Sequence, residues 1–312
     1  MGVSTDPVVA GTPGHDAQVV RWLPSWLQTA VALRRLALTS VIVNVLIVVT
    51  GGAVRLTNSG LGCPTWPSCT DSSLTPTKKY AIHGIIEFTN RQLTFVLVIV
   101  AVATWVVAML LRSERGLATW AALGIPAQAV LGGLTVLTHL NPWLVALHFL
   151  LSMAIIVVTY VMWWRLGPRP AAPLPTAGRR LAWATTAVTA TTLVIGTVVT
   201  GSGPHAGDLQ SGKVHRTGLK VSSVAQLHAD AVMVLIGLTI GMVVLAYALR
   251  SGEVFRQAVV ALLGVELAQG FIGYLQYFLH VPPLLVGLHM LGACLLWLAA
   301  LRVQLVARPA PA

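Results

Sequence analysis

Three histidines lie inside long apolar stretches of the sequence, where ionisable side chains are uncommon. His148 and His289 each follow a proline after five intervening residues, and His228 lies at a similar depth in another apolar stretch. Neutral imidazoles that converge in an apolar interior are suited to axial coordination of the iron of a porphyrin. Zinc or copper would require more ligands than the sequence provides at this depth. The alternative is that each histidine is a polar residue hydrogen-bonded between helices.

A second polar group combines a carboxylate with an arginine inside one apolar stretch. His83, Glu87 and Asn90 are separated by four and three residues, so they share one face of a helix. A carboxylate within a membrane span is expected to be either paired or functional. Glu87 and Arg91 have the i,i+4 spacing of a helical ion pair, which is the structural alternative to a functional carboxylate.

Two cysteines, Cys63 and Cys69, flank the prolines and tryptophan of the segment CPTWPSC. Two thiols in a short extracytoplasmic loop are expected to form a disulfide. A zinc site is disfavoured because the loop contains no further cysteine or histidine. A structural staple is the favoured interpretation, with a redox role as the alternative. Cys294 lies within an apolar stretch and is expected to pack in the core.

The elements that must position these residues are membrane helices. The chain has 312 residues, of which 56% are hydrophobic and only 9% charged, which is not the composition of a soluble globular protein. Its apolar blocks are about 20 residues long, enough for a helix to cross the hydrocarbon core. The sequence therefore predicts an all-α integral membrane protein with eight transmembrane helices: 36–56, 81–111, 117–138, 143–164, 181–201, 222–249, 257–279 and 284–306.

The two halves of the chain repeat one another. Gln128, Gly132 and His148 recur at one constant offset as Gln269, Gly273 and His289, and the segment VVTG also occurs in each half. The repeat predicts two pseudo-symmetric four-helix bundles, an architecture that often holds cofactors in its core. We expect a cytoplasmic N-terminal tail (1–35), followed by an N-terminal half that contains the catalytic site (36–165). A cytoplasmic linker (166–180) then leads to a C-terminal half (181–306) and a short cytoplasmic tail (307–312).

Basic residues predict the orientation in the membrane. The formal net charge is +11. With the N-terminus inside, thirteen arginines lie on the cytoplasmic side: Arg21, Arg34, Arg35, Arg112, Arg115, Arg165, Arg169, Arg179, Arg180, Arg250, Arg256, Arg302 and Arg308. Six basic residues then lie outside: Arg55, Lys78, Lys79, Lys213, Arg216 and Lys220. The positive-inside rule therefore predicts a multi-pass cell-membrane protein with both termini cytoplasmic. Nucleic-acid binding is not expected, because no basic stripe lies on a soluble face.

Alignment of the halves places Asn90 opposite His228. The C-terminal half therefore has two histidines, and an iron with two such ligands has no open position and suits electron transfer. The N-terminal half has His148 and a carboxylate, which suits chemistry on a bound molecule. His83 and Asn90 are the alternative partners of His148. Two further residues of the seventh span, Glu266 and Gln269, are expected to form interhelical hydrogen bonds.

The sequence resembles the heme A synthase family, membrane enzymes that make heme A from heme O. The resemblance covers residues 36–306 and rests on GGAVRLTNSGL, CPTWPSC, the Glu-Phe-x-x-Arg segment of the second span, the two Pro-x5-His spans and TGSGPHAGD. It implies eight helices in two pseudo-symmetric halves. It also implies oxidation of the C8 methyl group of heme O to a formyl group by successive hydroxylations.

The resemblance further implies roles for individual residues. Glu87 would be the catalytic carboxylate, with Arg91 as its support. His228 and His289 would bind the iron of a heme b cofactor, His148 would bind the iron of the substrate heme, and the cysteine pair would be Cys63 and Cys69. The family's usual motif is Glu-Phe-x-His-Arg, so Asn90 is a departure that leaves His148 as the chief ligand. An electron donor, membrane lipid and heme O synthase are the candidate partners.

Two other functional classes share some of these features. A di-heme b electron carrier without a catalytic step would use the same histidines but would not need Glu87. A transporter would also contain internal repeats, although transporter repeats are often inverted and their helices broken near the middle of the membrane. Here each repeat has an even number of spans, which makes the halves parallel, and no Gly/Pro break is expected in the central spans. The sequence therefore favours the synthase.

Overall fold

A computed structural model describes residues 24–76, 81–169, 174–208 and 214–308. Within these ranges the chain is helical and contains no β-strand. After a short 3-10 turn at Ser25–Leu27 come eight α-helices: α1 (Ala30–Leu56), α2 (Ala81–Leu110), α3 (Arg115–Leu137), α4 (Pro142–Arg165), α5 (Thr176–Ser202), α6 (Val221–Ala248), α7 (Glu253–Phe278) and α8 (Pro283–Val306). The predicted outer lysines Lys78, Lys79 and Lys213 lie outside the described residues.

All eight helices are long and apolar enough to cross a membrane, which confirms the predicted fold class. Many large apolar side chains point away from the protein, among them Ile99, Phe271 and Leu284. Such a surface suits lipid rather than water. The chain is a multi-pass membrane protein.

Three helices begin four or more residues earlier than the hydropathy pattern predicted, because helical structure continues through the residues that precede the predicted apolar stretches. α1 begins at Ala30, where the hydroxyl of Thr29 accepts a hydrogen bond from the backbone N–H of Ala32. α5 and α7 likewise begin before their apolar stretches do. Inside α3, Pro126 leaves the helix continuous, in agreement with the expected absence of broken spans.

The α3–α4 and α7–α8 hairpins have the same local structure. The two turn residues of each hairpin adopt the left-handed conformation: His139 and Leu140 in the first, and His280 and Val281 in the second. Each turn leads into a helix whose first residue is proline, a position that proline favours. The repeat in the sequence therefore produces one hairpin geometry twice.

The helices pack mainly within two sets of four. In the first set α1 contacts α2 and α4, and α3 contacts the same two helices. In the second set α5 contacts α6 and α8, and α7 also contacts both. The sets meet through α1, α4, α5 and α8. This packing agrees with a bundle for each half, whereas a two-fold relation between the halves stays a prediction.

The two ends of the helix bundle differ in how they are packed. We call the end that carries the Cys63–Cys69 loop the disulfide end and the opposite end the linker end. The two largest apolar clusters within a set lie towards the linker end, one around Met162 in the first set and one around Phe255 in the second. A small cluster that includes Leu61 and Leu140 closes the disulfide end. The three histidines lie between these layers, within two turns of the disulfide end.

Candidate functional site

His228 and His289 face each other across the second set of helices. Their ring centres are 6.5 Å apart and their planes are inclined at 73°. His228 lies two turns into α6 and His289 lies two turns into α8, so both rings are at the same level. The structure brings together the two histidines that the sequence assigned to one site.

Polar and small residues of neighbouring helices hold His289 and His228 in place. The side-chain amide of Gln269 on α7 donates a hydrogen bond of 2.9 Å to the carbonyl oxygen of His289. Gly196 on α5 lies against the ring of His228, where a Cβ atom would be only 3.2 Å from Cε1. A side chain at position 196 would therefore displace the ring. The predicted interhelical role of Gln269 is confirmed.

His148 has the same supports in the first set of helices. The amide of Gln128 on α3 donates to the carbonyl oxygen of His148 at 3.1 Å and to the hydroxyl of Ser152 at 2.8 Å. A Cβ atom at Gly132 would be 3.2 Å from Cε1 of His148. The equivalent glycine beside His289 is Gly273, where the distance to Cε1 would be 3.7 Å. The repeat in the sequence is thus a repeat of contacts around each histidine.

The ring nitrogens of these histidines bear on their two interpretations. Within the described part of the chain, Nδ1 of His148 and Nδ1 of His289 are buried and form no hydrogen bond. A histidine kept as a polar link between helices would have a hydrogen-bonded ring. The rings are instead held by contacts to their backbone and by neighbouring glycines. This arrangement leaves their nitrogen atoms for a ligand.

The His228–His289 pair fits an iron porphyrin. Two imidazoles on opposite sides of one metal have ring centres about 6.4 Å apart, since a metal–nitrogen bond is about 2 Å long and the nitrogen lies about 1.2 Å from the ring centre. The observed separation is 6.5 Å. Among the described residues there is no group of three or more histidine, cysteine or acidic side chains that could hold a bare metal ion. The donor set therefore suits a metal whose other ligands come from a macrocycle.

Glu87 lies on α2 and holds the disulfide loop against the helices. Its side chain is 5% exposed. One carboxylate oxygen accepts from Nη2 of Arg91 at 2.6 Å and from Nε at 3.2 Å, and the other accepts from the backbone N–H of Cys63 at 2.7 Å. Arg91 also donates to the carbonyl oxygens of Cys63, Thr65 and Ser68. The ion pair is therefore confirmed, and it orients both the carboxylate and the loop.

The disulfide loop reaches the helix that supports His148. Cys63 and Cys69 form the expected disulfide. Trp66 between them packs so closely on α3 that its ring occupies the space of a side chain at Gly133. The adjacent residue, Gly132, contacts the ring of His148. Glu87, the loop and His148 thus belong to one region at the disulfide end of the first helix set.

Sequence comparison places the chain in a known group of membrane proteins. Residues 34–301 match the sequence model of the COX15-CtaA family, described as cytochrome oxidase assembly protein. This match extends from α1 into α8 and includes every candidate site residue. The chain belongs to this family.

Curated relatives of the family carry a more specific name. The chain is 35% identical over 144 residues to a heme A synthase of Geobacillus thermodenitrificans, and the aligned segment covers 45% of this chain and 44% of the relative. It is 33% identical over 156 residues to a heme A synthase of Lysinibacillus sphaericus, and the aligned segment covers 47% of this chain and 50% of the relative. The chain thus spans half the length, or less, of the curated relatives it matches. These names confirm the predicted resemblance to heme A synthases.

The two alternative partners of His148, His83 and Asn90, have different surroundings in this family member. Nδ1 of His83 lies 3.0 Å from the hydroxyl of Ser59, at the end of α1. Oδ1 of Asn90 is buried and forms no hydrogen bond within the described ranges. The ring pairing seen for His228 and His289 has no counterpart at His148 in the part of the chain that the structure describes.

Sequence reasoning missed the contacts that join the two helix sets at the disulfide end. Arg55 of α1 donates to the carbonyl oxygens of His205 at 2.6 Å and Thr200 at 3.0 Å. The ring of His205 in turn lies 2.7 Å from the carbonyl oxygen of Val281, just before α8. Arg55 lies in the motif GGAVRLTNSGL, and Thr200 and His205 lie in TGSGPHAGD. The motifs were recognisable in the sequence, but their mutual contact required the tertiary structure.

Proposed function

We propose that this protein is a heme A synthase, which oxidises the C8 methyl group of heme O to a formyl group by successive hydroxylations. Membership of the family and the names of its curated relatives support the reaction. The observation that carries the proposal is the difference between the two histidine regions. His228 and His289 face each other, whereas His148 has no ring partner among the described residues and lies in the half that carries Glu87 and the disulfide loop. One region suits electron transfer and the other suits a reacting substrate.

In the N-terminal half, His148 is the proposed ligand of the substrate iron. Gln128 and Gly132 set the position of its ring through the contacts described above. We further propose that His148 is the chief axial ligand, with His83 or no residue on the opposite side. Replacement of His148 by alanine is then expected to abolish binding of heme O. Undiminished binding by this variant would contradict the assignment.

Glu87 is the proposed catalytic residue. Arg91 and the N–H of Cys63 hold its carboxyl group in a fixed direction. A fixed carboxylate can stabilise positive charge that develops on a substrate, or accept a proton from it. Arg91 is a positioning residue, because its guanidinium binds the carboxylate and three carbonyl groups of the loop.

In the C-terminal half, His228 and His289 are the proposed ligands of a heme b cofactor. When bound, this group would supply single electrons to the reaction. The protein's part is to keep both imidazoles in place through Gln269 and Gly196. An electron donor is then a necessary partner, and heme O synthase is a candidate partner because heme O is a hydrophobic substrate.

The proposed orientation follows from the distribution of arginines. Residues 1–35, 166–180 and 307–312 would be cytoplasmic, and residues 36–165 and 181–306 would form the catalytic and cofactor-binding halves. The disulfide end would then face the outside, where a disulfide is stable. Both histidine regions would lie in the outer part of the cell membrane.

The test is expression of the full chain with and without a heme O-producing enzyme, followed by extraction and identification of the hemes by chromatography and mass. Heme A, or its hydroxylated precursor, is expected only when active protein and heme O are both present. A Glu87→Gln/His148→Ala double variant is the matched negative control. Heme b as the sole product, despite abundant heme O, would refute the synthase.

A di-heme b electron carrier is the second candidate. The observation in its favour is that both oxygens of Glu87 already have protein partners, as in a purely structural ion pair. This candidate requires two identical hemes b and no change in the extracted pigment. The same extraction experiment therefore separates the two functions.

A further inference from the structure

A second buried carboxyl, Glu266 on α7, takes no part in the proposed chemistry. Its side chain is 2% exposed and lies near the middle of a 26-residue helix. One oxygen accepts a hydrogen bond of 2.7 Å from the hydroxyl of Thr239 on α6. The other oxygen is buried and forms no hydrogen bond within the described ranges. A hydroxyl partner alone is weak compensation for a charged carboxylate inside a membrane.

No cation pairs with Glu266 in the described part of the chain. α7 packs against α6 and α8. The ionisable residues of these three helices, apart from Glu266, are His228, Asp230 and Tyr247 on α6, Glu253, Arg256, Tyr274 and Tyr277 on α7, and His289, Cys294 and Arg302 on α8. The nearest arginine along α7, Arg256, is ten residues or about 15 Å away and forms an ion pair with Glu253. Glu266 therefore differs from Glu87, whose carboxylate has an arginine in direct contact.

Glu266 lies one helical turn from Gln269, which binds the backbone of His289. These two residues are three positions apart on α7, so their side chains are neighbours on one helix face. Gln269 donates to the carbonyl oxygen of His289, and its own side-chain oxygen is buried without a hydrogen bond in the described structure. A protonated Glu266 can donate a hydrogen bond, and an unpaired amide oxygen can accept one. A bond between these two side chains would link Thr239 and Glu266 to the backbone of His289.

The first helix set lacks this carboxyl. The offset that relates Gln128 to Gln269 places Ile125 opposite Glu266. Ile125 is buried in α3 with 5% exposure, so the difference is not one between a core position and a surface position. The contacts of Gln128 and Gln269 with the two histidines are otherwise alike. At this repeat position, therefore, only the second helix set carries a carboxyl.

We propose that Glu266 binds a proton when the iron held by His228 and His289 is reduced, and releases it when the iron is oxidised. This proposal rests on the proposed function of that pair. When an external one-electron reductant reduces the bound iron, the Glu266 carboxylate would gain one proton, so the net charge of the region would be unchanged. The loss of one positive charge from an interior of low dielectric constant strengthens proton binding at a carboxylate in the same helix set. Charge balance inside the membrane thus favours the coupled change.

The coupling predicts how the midpoint potential depends on pH. A group that binds protons more tightly in the reduced protein makes reduction easier at low pH, so the midpoint potential of this heme falls as the pH rises. The experiment is a potentiometric titration of the purified, heme-loaded protein over a range of pH values, followed by absorbance. Wild-type protein is expected to show the fall, and Glu266→Gln is expected to show a flat profile. Glu253→Gln, an exposed glutamate at the end of the same helix, is the matched control and should keep the wild-type slope.

A second variant and a second measurement test the proposal even if Glu266→Gln disturbs the fold. Thr239→Val removes the donor to the carboxylate, so the pH range of the fall should move upwards while the slope is kept. Redox-induced infrared difference spectra should contain a carboxylic acid signal that Glu266→Gln removes and Glu253→Gln retains.

Three results would overturn the proposal. A slope in Glu266→Gln equal to that of the wild type would limit Glu266 to a structural hydrogen bond, and so would an infrared signal that survives the substitution. If heme b binds and the wild-type potential is independent of pH, the coupling is wrong while the cofactor assignment stands. If no heme binds to the second helix set, both proposals fall together.

Discussion

His148 and His289 have matching supports but different surroundings. A glutamine binds the carbonyl oxygen of each, and a glycine lies beside each ring. His289 then faces a second imidazole, whereas His148 lies near a disulfide loop that Glu87 and Arg91 hold in place. A shared framework therefore fixes one histidine in each half, and the residues around that histidine differ between the halves.

The difference extends to the buried acids. Glu87 lies in the first half and has a guanidinium and a backbone N–H as partners. Glu266 lies in the second half, and within the described residues its partner is the hydroxyl of Thr239. Both oxygens of Glu87 are therefore fixed by protein donors, whereas one oxygen of Glu266 has no hydrogen-bond partner in the described structure.

The largest expected effect comes from breaking the histidine pair. His289→Ala should remove the heme of the second set, because one remaining imidazole cannot provide two axial bonds. The ratio of heme b to protein and the low-spin absorbance of the oxidised protein measure this loss. His280→Asn, a substitution in the α7–α8 turn that tolerates its left-handed backbone, should keep the heme. Full heme content in His289→Ala would show that the second helix set does not need the histidine pair to bind heme.

Neutralisation of the first acid is expected to affect turnover rather than binding. Glu87→Gln keeps an oxygen for the N–H of Cys63 but loses the charge that faces Arg91, so conversion of heme O should slow by about 10²-fold or more. Heme content should be unchanged. Glu114→Gln, which alters an ion pair with Arg165 at the linker end, is the control. Normal turnover in Glu87→Gln would leave the ion pair with a structural role only.

Removal of the disulfide should have a moderate effect on stability. Replacement of both Cys63 and Cys69 by serine is expected to lower the free energy of unfolding by about 2 kcal/mol, since the closed loop is short. Arg91 still binds three carbonyl groups of the loop, so Arg91→Gln should destabilise the protein more. Thermal unfolding in detergent compares the two variants. A complete loss of turnover without loss of stability would instead assign the cysteines a redox role.

The smallest expected effect distinguishes the two equivalent glycines. A Cβ atom at position 132 would lie 3.2 Å from the ring of His148, and one at position 273 would lie 3.7 Å from the ring of His289. Gly132→Ala should therefore weaken binding of heme O a few-fold, while Gly273→Ala should leave heme b binding nearly unchanged. Binding titrations monitored by absorbance measure both. Equal effects would mean that the rings adjust to either alanine.

Most of the fold could be predicted from the sequence. Eight apolar blocks of spanning length gave eight helices, because a membrane allows a backbone little other choice. The repeat of Gln128, Gly132 and His148 indicated equivalent positions, and the contacts of Gln269, Gly273 and His289 agree with it. The i,i+4 spacing of Glu87 and Arg91 predicted their ion pair, since neighbours on a helix face are fixed by its geometry.

Contacts between distant segments were decided by the tertiary structure alone. Hydropathy and spacing carry no information on which loop lies against which helix, so the packing of Trp66 on Gly133 could not be predicted. The same holds for the bond from Arg55 to His205 and for the contact of Gly196 with His228. The sequence by itself determined the depth of the three histidines and indicated that His228 and His289 could meet. The packing of the helices set how the two rings meet, with their centres 6.5 Å apart, because a ring pair depends on helix positions that no local pattern encodes.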